Sequence, residues 1–166
     1  WSWKFIDAAD ATVNGFAANK FAADTSDFTS DMGGGAFVVT ESGGDLFLEF
    51  QIPGVAVLGT NLAAIANGDA TPSAADGTHF GNVSIGGAEL RTFYVTNTGG
   101  AALSLGDVAI GGADAGDFVV VETNDATVAS GDVAPFTIAY SPSDLGASAA
   151  TVYLTNGVAS SSPYTF

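Results

Sequence analysis

Short apolar stretches alternate with turn-forming residues along most of the chain. Gly, Ala, Ser, Thr, Asn and Asp interrupt the sequence roughly every 6 to 12 residues, a spacing typical of short antiparallel strands. The clearest apolar and polar alternation lies in residues 46–52, 136–140 and 151–155. A strand places successive side chains on opposite faces, so this period of two predicts half-buried strands. The pattern as a whole predicts an all-β fold.

Turn signals fall between these stretches. Ser42-Gly43-Gly44-Asp45 separates two apolar runs and predicts a hairpin. Asn97-Thr98-Gly99-Gly100 is expected to end a strand, and Ser130-Gly131-Asp132 to precede one. Residues 7–23 are rich in alanine, but Val13-Asn14-Gly15 interrupts them, so we expect at most a short helix there.

Composition adds limits on partners. Hydrophobic residues make up 47% of the chain and mean hydropathy is +0.34, which is enough to bury a core. No apolar run approaches the roughly 18 residues of a membrane-spanning helix. The chain carries 18 acidic and 3 basic residues, a net charge of −15. Because Lys4, Lys20 and Arg91 are far apart, nucleic-acid binding is excluded, and we read the acidity as a means of solubility.

The absence of cysteine excludes disulfides, a thiolate nucleophile and cysteine-ligated metals, and it leaves the compartment open. The chain begins with Trp1 rather than Met. Removal of a signal peptide, other processing or a start inside a longer protein would each explain this.

A family resemblance covers residues 67–166. These residues resemble the choice-of-anchor D domain, an immunoglobulin-like sandwich related to ASH and PapD-like domains. The matching stretches, in order, are residues 67–73, 76–81, 91–99, 114–118, 135–142 and 162–166. The resemblance implies an immunoglobulin-like β-sandwich of a secreted or cell-surface protein, with no shared catalytic residues. Residues 1–60 are expected to form an additional β-rich segment, and residues 61–166 the sandwich.

The two ends of the chain suggest how subunits assemble. In the resembled family the stretch at Pro163-Tyr164-Thr165-Phe166 opens a longer last strand, whereas this sequence ends at Phe166. An incomplete last strand leaves a groove of unpaired backbone groups. At the other end, Trp1, Trp3 and Phe5 share one face at period two. We therefore expect residues 1–7 to act as a donor strand, with Tyr164 and Phe166 on the acceptor side.

These expectations combine into a functional hypothesis. Donor-strand exchange between identical subunits is head-to-tail and builds an open homopolymer. The sequence thus predicts a structural subunit of an extracellular, pilus-like filament, made by a prokaryote. The alternative is an adhesin or spacer module of a larger surface protein, in which Trp1, Trp3 and Phe5 pair within their own subunit.

Enzyme chemistry has little support in the sequence. His79 is the only histidine, and it is not accompanied by a Gly-x-Ser-x-Gly, phosphate-loop or His-Glu-x-x-His motif. The two carboxylates that glycoside hydrolysis needs are available, but no pair stands out. We expect no catalytic activity and no cofactor.

Calcium is the one metal ion for which the sequence offers candidate ligands. Asp10-Ala11-Thr12-Val13-Asn14-Gly15 begins like a calcium loop, yet Phe21 occupies the twelfth position, where a glutamate is required. Asn67-Gly68-Asp69 and Asp76-Gly77 offer further oxygens, and the alternative is that they form Asx turns. Asn82-Val83-Ser84 is a glycosylation sequon, expected within a strand.

Overall fold

The computed structural model describes residues 2–6, 16–17, 20–27, 30, 32–122 and 126–166. Trp1, the candidate calcium loop at residues 10–15 and most of the alanine-rich segment lie outside these residues. The strands are β1 (Ser2–Ile6), β2 (Ala36–Ser42), β3 (Asp45–Gln51), β4 (Val55–Leu58), β5 (Ala64–Ile65), β6 (Glu89–Asn97), β7 (Leu103–Gly111), β8 (Phe118–Glu122), β9 (Thr127–Val128), β10 (Val133–Tyr140), β11 (Thr151–Asn156) and β12 (Tyr164–Thr165). The all-β prediction is confirmed.

Two antiparallel sheets form a sandwich. One has the order β5-β4-β6-β10-β8 and the other β12-β11-β7-β9. Alternate residues of each central strand point inward, as the period of two predicted, and Phe136 and Leu154 have no exposed surface. Apolar residues of both sheets meet in one core: Val57, Ile65, Phe93, Val95, Leu103, Leu105, Val128, Ala134, Phe136, Ile138, Val152, Leu154 and Tyr164.

A smaller sheet of order β1-β3-β2 precedes the sandwich. β2 and β3 form the predicted hairpin, and Gly43 and Gly44 at its turn both have positive φ, which glycine adopts without strain. β1 pairs antiparallel with β3 along the outer side of this hairpin. The sandwich itself begins with β4, on the N-terminal side of the boundary predicted at residue 61.

Buried Asn97 fastens the junction between the two parts. Its Oδ1 accepts hydrogen bonds from the backbone N–H groups of Gly54 and Gly99, and its Nδ2 donates to the carbonyls of Ala101 and Val128. Gly54 belongs to the link between β3 and β4. One side chain makes all four hydrogen bonds. Asn97 therefore fixes the position of the link between β3 and β4, where the small sheet joins the sandwich.

The small sheet leaves from one end of the sandwich. The carbonyl of Ile52, just after β3, accepts bonds from Gly100 and Ala101 in the loop after β6. The opposite end carries the start of β6, the end of β7 and the start of β11. Within the part of the chain that the structure describes, no helix is long and apolar enough to cross a membrane.

Candidate functional site

The last strand, β12, is only two residues long and pairs with β11 at the edge of its sheet. Phe166 continues the ladder, because it exchanges backbone hydrogen bonds with Val152, at 2.8 and 3.3 Å. The outer side of β12 is partly covered, since Gly68 donates to the carbonyl of Thr165 at 2.7 Å and Asn67 Oδ1 accepts from its N–H at 2.9 Å.

The two predicted acceptor residues occupy different positions. Tyr164 is buried in the core, and its hydroxyl donates to the carbonyl of Ile65 at 2.6 Å. Burial raises the pKa of Tyr164 above its ordinary value. Phe166 is half-buried, with its ring 5.3 Å from that of Phe93, and it lines an open groove. Tyr164 therefore anchors β12 in the core, and Phe166 forms part of the groove wall.

Ala150 lies directly before β11, at the edge of the groove. Val152 directs its N–H and C=O toward Phe166 at the end of β12. No hydrogen bond reaches either backbone group of Ala150 from anywhere in residues 32–122 and 126–166. Unpaired backbone groups next to a strand can pair with a further strand.

The groove next to Ala150 has a volume of about 710 Å³ and lies between the two sheets. Its apolar lining comes from both sheets: Phe93, Phe118, Ile138 and Tyr140 on one side, Ile110, Val152 and Phe166 on the other, with Phe80 between. Phe80, Ile110, Phe118 and Phe166 pack on the core but remain only half-buried. The volume lies within the roughly 300–1,000 Å³ usual for ligand sites.

The loop of residues 143–148 forms one rim of the groove and is fixed by Asp117. This carboxylate accepts from the backbone N–H of Ser143 at 3.1 Å and from the hydroxyl of Ser148 at 2.8 Å. Hydrogen bonds from Ser143 and Ser148 lower the pKa of Asp117 below its ordinary value. The conformation of the rim is therefore fixed by hydrogen bonds within the chain.

The predicted donor residues lie in the small sheet. Trp3 is 51% and Phe5 50% exposed, and the Trp3 ring is 6.3 Å from that of Phe37. The pairing register shifts between Lys4 and Ile6, which places Phe5 in a bulge. Trp1 lies outside the described residues. In a single chain, then, β1 pairs within its own subunit, as the alternative interpretation expected, but its aromatic side chains stay half in water.

The remaining candidates are the acidic turns, His79 and the glycosylation sequon at Asn82. Asp69 Oδ1 accepts from the N–H of Thr71, and Asp76 Oδ1 from that of Thr78, both at 2.9 Å, so these residues form Asx turns. Among the described side chains, no group of three or more His, Asp or Glu is placed to hold a metal ion. His79 is exposed at the groove. The prediction that Asn82 lies in a strand is wrong, because residues 81–84 form a loop with Asn82 exposed.

No protein-family model matches the chain. Searches of the curated proteins and of the solved structures found no match either. The resemblance to choice-of-anchor D domains thus stays an expectation, and function has to be argued from the groove and from β1.

Proposed function

We propose that this protein is an extracellular structural subunit that polymerises head-to-tail by exchanging a β-strand. The observation that carries the proposal is the apolar groove with its half-buried aromatic side chains, beside the unpaired backbone of Ala150. A bound strand would pair with these backbone groups and cover the half-buried aromatic side chains. Both changes lower the free energy of the groove.

The positions of β1 and the groove favour a linear polymer. The small sheet leaves the sandwich near Ile52 and the loop after β6. The groove lies at the opposite end, where β11 begins and β7 ends. Because donor and acceptor are at opposite ends, each added subunit offers a new groove, and such a contact continues without closing.

Exchange requires β1 to leave β3. The cost includes the ladder with β3 and the ion pair of Lys4 with Asp45 at 3.0 Å. It is limited because β1 is an edge strand with a bulge and two half-exposed aromatic residues. Burying the exposed halves of Trp3 and Phe5 recovers apolar area at about 25 cal/mol per Å². Immobilising the incoming subunit offsets part of this gain.

Negative-stain electron microscopy of the native protein at high concentration tests the proposal. We expect long fibres with an axial repeat of one subunit. Trp3→Asp should abolish them and leave a folded monomer, because a carboxylate cannot enter the apolar groove. Ile85→Asp is the matched control, since Ile85 is 54% exposed in a turn and does not line the groove, so the fibres should stay intact. Dispersed particles of the native protein would refute the polymer.

A second candidate function is a surface module, either an adhesin or a spacer, and the pairing of β1 with β3 favours it. In that role the groove is filled by sequence of the same polypeptide and subunits do not exchange strands. Native protein that stays monomeric at all concentrations, with Trp3→Asp unchanged from it in size, would support the module.

A further inference from the structure

The loop before β6 presents two polar side chains at the surface of the sandwich. Residues 81–88 lie directly before Glu89, the first residue of β6. Asn82 and Ser84 are exposed, whereas Val83 between them is half-buried. Val83 therefore packs partly against the protein, and the amide of Asn82 and the hydroxyl of Ser84 both remain in solvent.

Two glycines set the backbone on either side of these residues. Gly81 has a φ of 79° and Gly86 a φ of 85°, a region that glycine adopts without strain. The carbonyl of Ser84 accepts a hydrogen bond from the N–H of Gly87 at 2.8 Å, which closes a tight turn. The tripeptide at residues 82–84 is thus held in a surface loop that ends before β6 begins.

The side chain of Asn82 differs from those of the other asparagines that the structure describes. The others are hydrogen-bonded within the chain: Asn61, Asn67, Asn97 and Asn156. No hydrogen bond joins the side chain of Asn82 to any other described residue. This amide therefore has no part in holding the described fold, and its nitrogen is accessible from solvent.

The sequence around this free amide is an acceptor pattern for N-linked sugar. Asn82-Val83-Ser84 fits Asn-x-Ser with x other than proline, a pattern that is modified when it lies in a surface loop of a secreted protein. The structure supplies the surface loop where the sequence predicted a strand. No other asparagine of the sequence is followed by Ser or Thr two positions later, so a single site is expected.

We infer that Asn82 is the acceptor of an N-linked oligosaccharide. The inference rests on the extracellular location proposed above, because N-linked sugar is a modification of secreted proteins. The donor belongs to the class of oligosaccharides activated as polyprenyl pyrophosphates. The side-chain nitrogen of Asn82 forms a bond to the anomeric carbon of the sugar, and the bond from that carbon to the pyrophosphate oxygen breaks. The pyrophosphate leaves with the electron pair, and the amide proton passes to a base of the transferase.

Asn82 lies at the mouth of the groove rather than at its floor. Phe93 and Ile138 line the deep part of the groove and are at most 2% exposed, whereas Asn82 is exposed. An oligosaccharide on Asn82 therefore extends into solvent. The apolar floor stays free for a strand, so the modification is compatible with the polymer.

Peptide mass spectrometry of the protein purified from its source organism tests the inference. Cleavage after acidic residues releases residues 77–89, in which Asn82 is the only asparagine. We expect this peptide to carry the mass of an oligosaccharide, and fragmentation to place the sugar on Asn82. Unmodified peptide from protein found outside the cell would overturn the site while the extracellular location stands. Unmodified peptide from protein found only inside the cell would overturn the site and the location together.

Three variants made in the same organism separate this pattern from other attachment sites. Asn82→Gln and Ser84→Ala should each lose the oligosaccharide, whereas Ser84→Thr should keep it, because threonine supplies the same hydroxyl. All three should fold as the native chain does, since both side chains are exposed, and circular dichroism checks this. Sugar retained on the Ser84→Ala peptide would show attachment at another residue, such as Thr78, and would overturn the inference.

Discussion

The sandwich and the small sheet are built from the same strand pattern, yet they bury their apolar residues very differently. In the sandwich, the rings of Phe93 and Phe136 stack 5.5 Å apart with at most 1% of either residue exposed. In the small sheet, Leu46 is buried, whereas Trp3 and Phe5 keep half of their surface in water. In the sandwich, each sheet is covered by the other, whereas no part of the described chain covers β1. The stability of the fold therefore resides in the sandwich, and the small sheet keeps apolar surface exposed.

The largest contrast is expected from one truncation in each region. Phe136→Ala should lower the free energy of unfolding by about 3–5 kcal/mol, because it opens a cavity in a closed core. Phe5→Ala should lower it by less than about 1 kcal/mol, because half of this side chain already meets water. Urea unfolding of dilute, monomeric protein measures both. Equal losses would show that the small sheet is as tightly packed as the sandwich.

The junction between the regions depends on Asn97. Asn97→Ala should cost about 2–4 kcal/mol, because it leaves buried backbone groups on both sides of the junction without partners. Its second signature is faster amide hydrogen exchange at Gly54 and Gly99, which donate to the Asn97 side chain. A loss below about 0.5 kcal/mol with unchanged exchange would mean that water replaces the side chain without penalty.

Tyr164 distinguishes an anchored end of β12 from a loose one. Tyr164→Phe removes only the hydroxyl that donates to Ile65 and should cost about 1 kcal/mol. Tyr153→Phe is the matched control, since Tyr153 is 40% exposed on the adjacent strand, and it should change stability little. Identical effects of the two substitutions in thermal unfolding would remove Tyr164 from its anchoring role.

The smallest effect concerns the rim of the groove and depends on pH. The pKa of Asp117 is lowered in the folded state, so its stabilising contribution is present above the unfolded pKa of about 4 and is lost as pH falls through the folded value. The Asp117→Asn variant should therefore be less stable than the native protein near neutral pH, and this difference in stability should become smaller below about pH 4. Melting curves from pH 7 to pH 2 measure it. A deficit that stays constant down to pH 2 would contradict the assignment.

Most of the fold was predictable because period-two patterns and glycine turns act locally. The hairpin at Gly43 and Gly44 and the inward face of residues 136–140 follow from a few neighbouring residues. The N-terminal boundary of the sandwich is harder to predict from the sequence, because β4 pairs with β6 across about 40 residues of sequence. The strand predicted at Asn82 is wrong, because residues 81–84 form a loop.

Of the predicted interface residues, Phe166 lines the groove. The role of Trp3 as a donor residue, indicated by the aromatic alternation at the start of the sequence, stays a prediction. The residues that form the walls of the groove give no such signal in the sequence, because Phe80 and Phe118 come together only through the packing of two sheets. One signal was present and overlooked: the five small residues at 146–150, just before a strand, mark a wall that lacks bulk.

Amide hydrogen exchange at Ala150, in assembled native protein and in the Trp3→Asp monomer, tests the central claim most directly. The claim is that the backbone of Ala150, next to the groove, pairs with a β-strand from a neighbouring subunit. The account predicts that the Ala150 amide exchanges freely in the monomer and is protected at least about a hundredfold in the assembly, because it gains a buried hydrogen bond. Equal and rapid exchange in both samples would show that this backbone stays unpaired, and would contradict strand exchange.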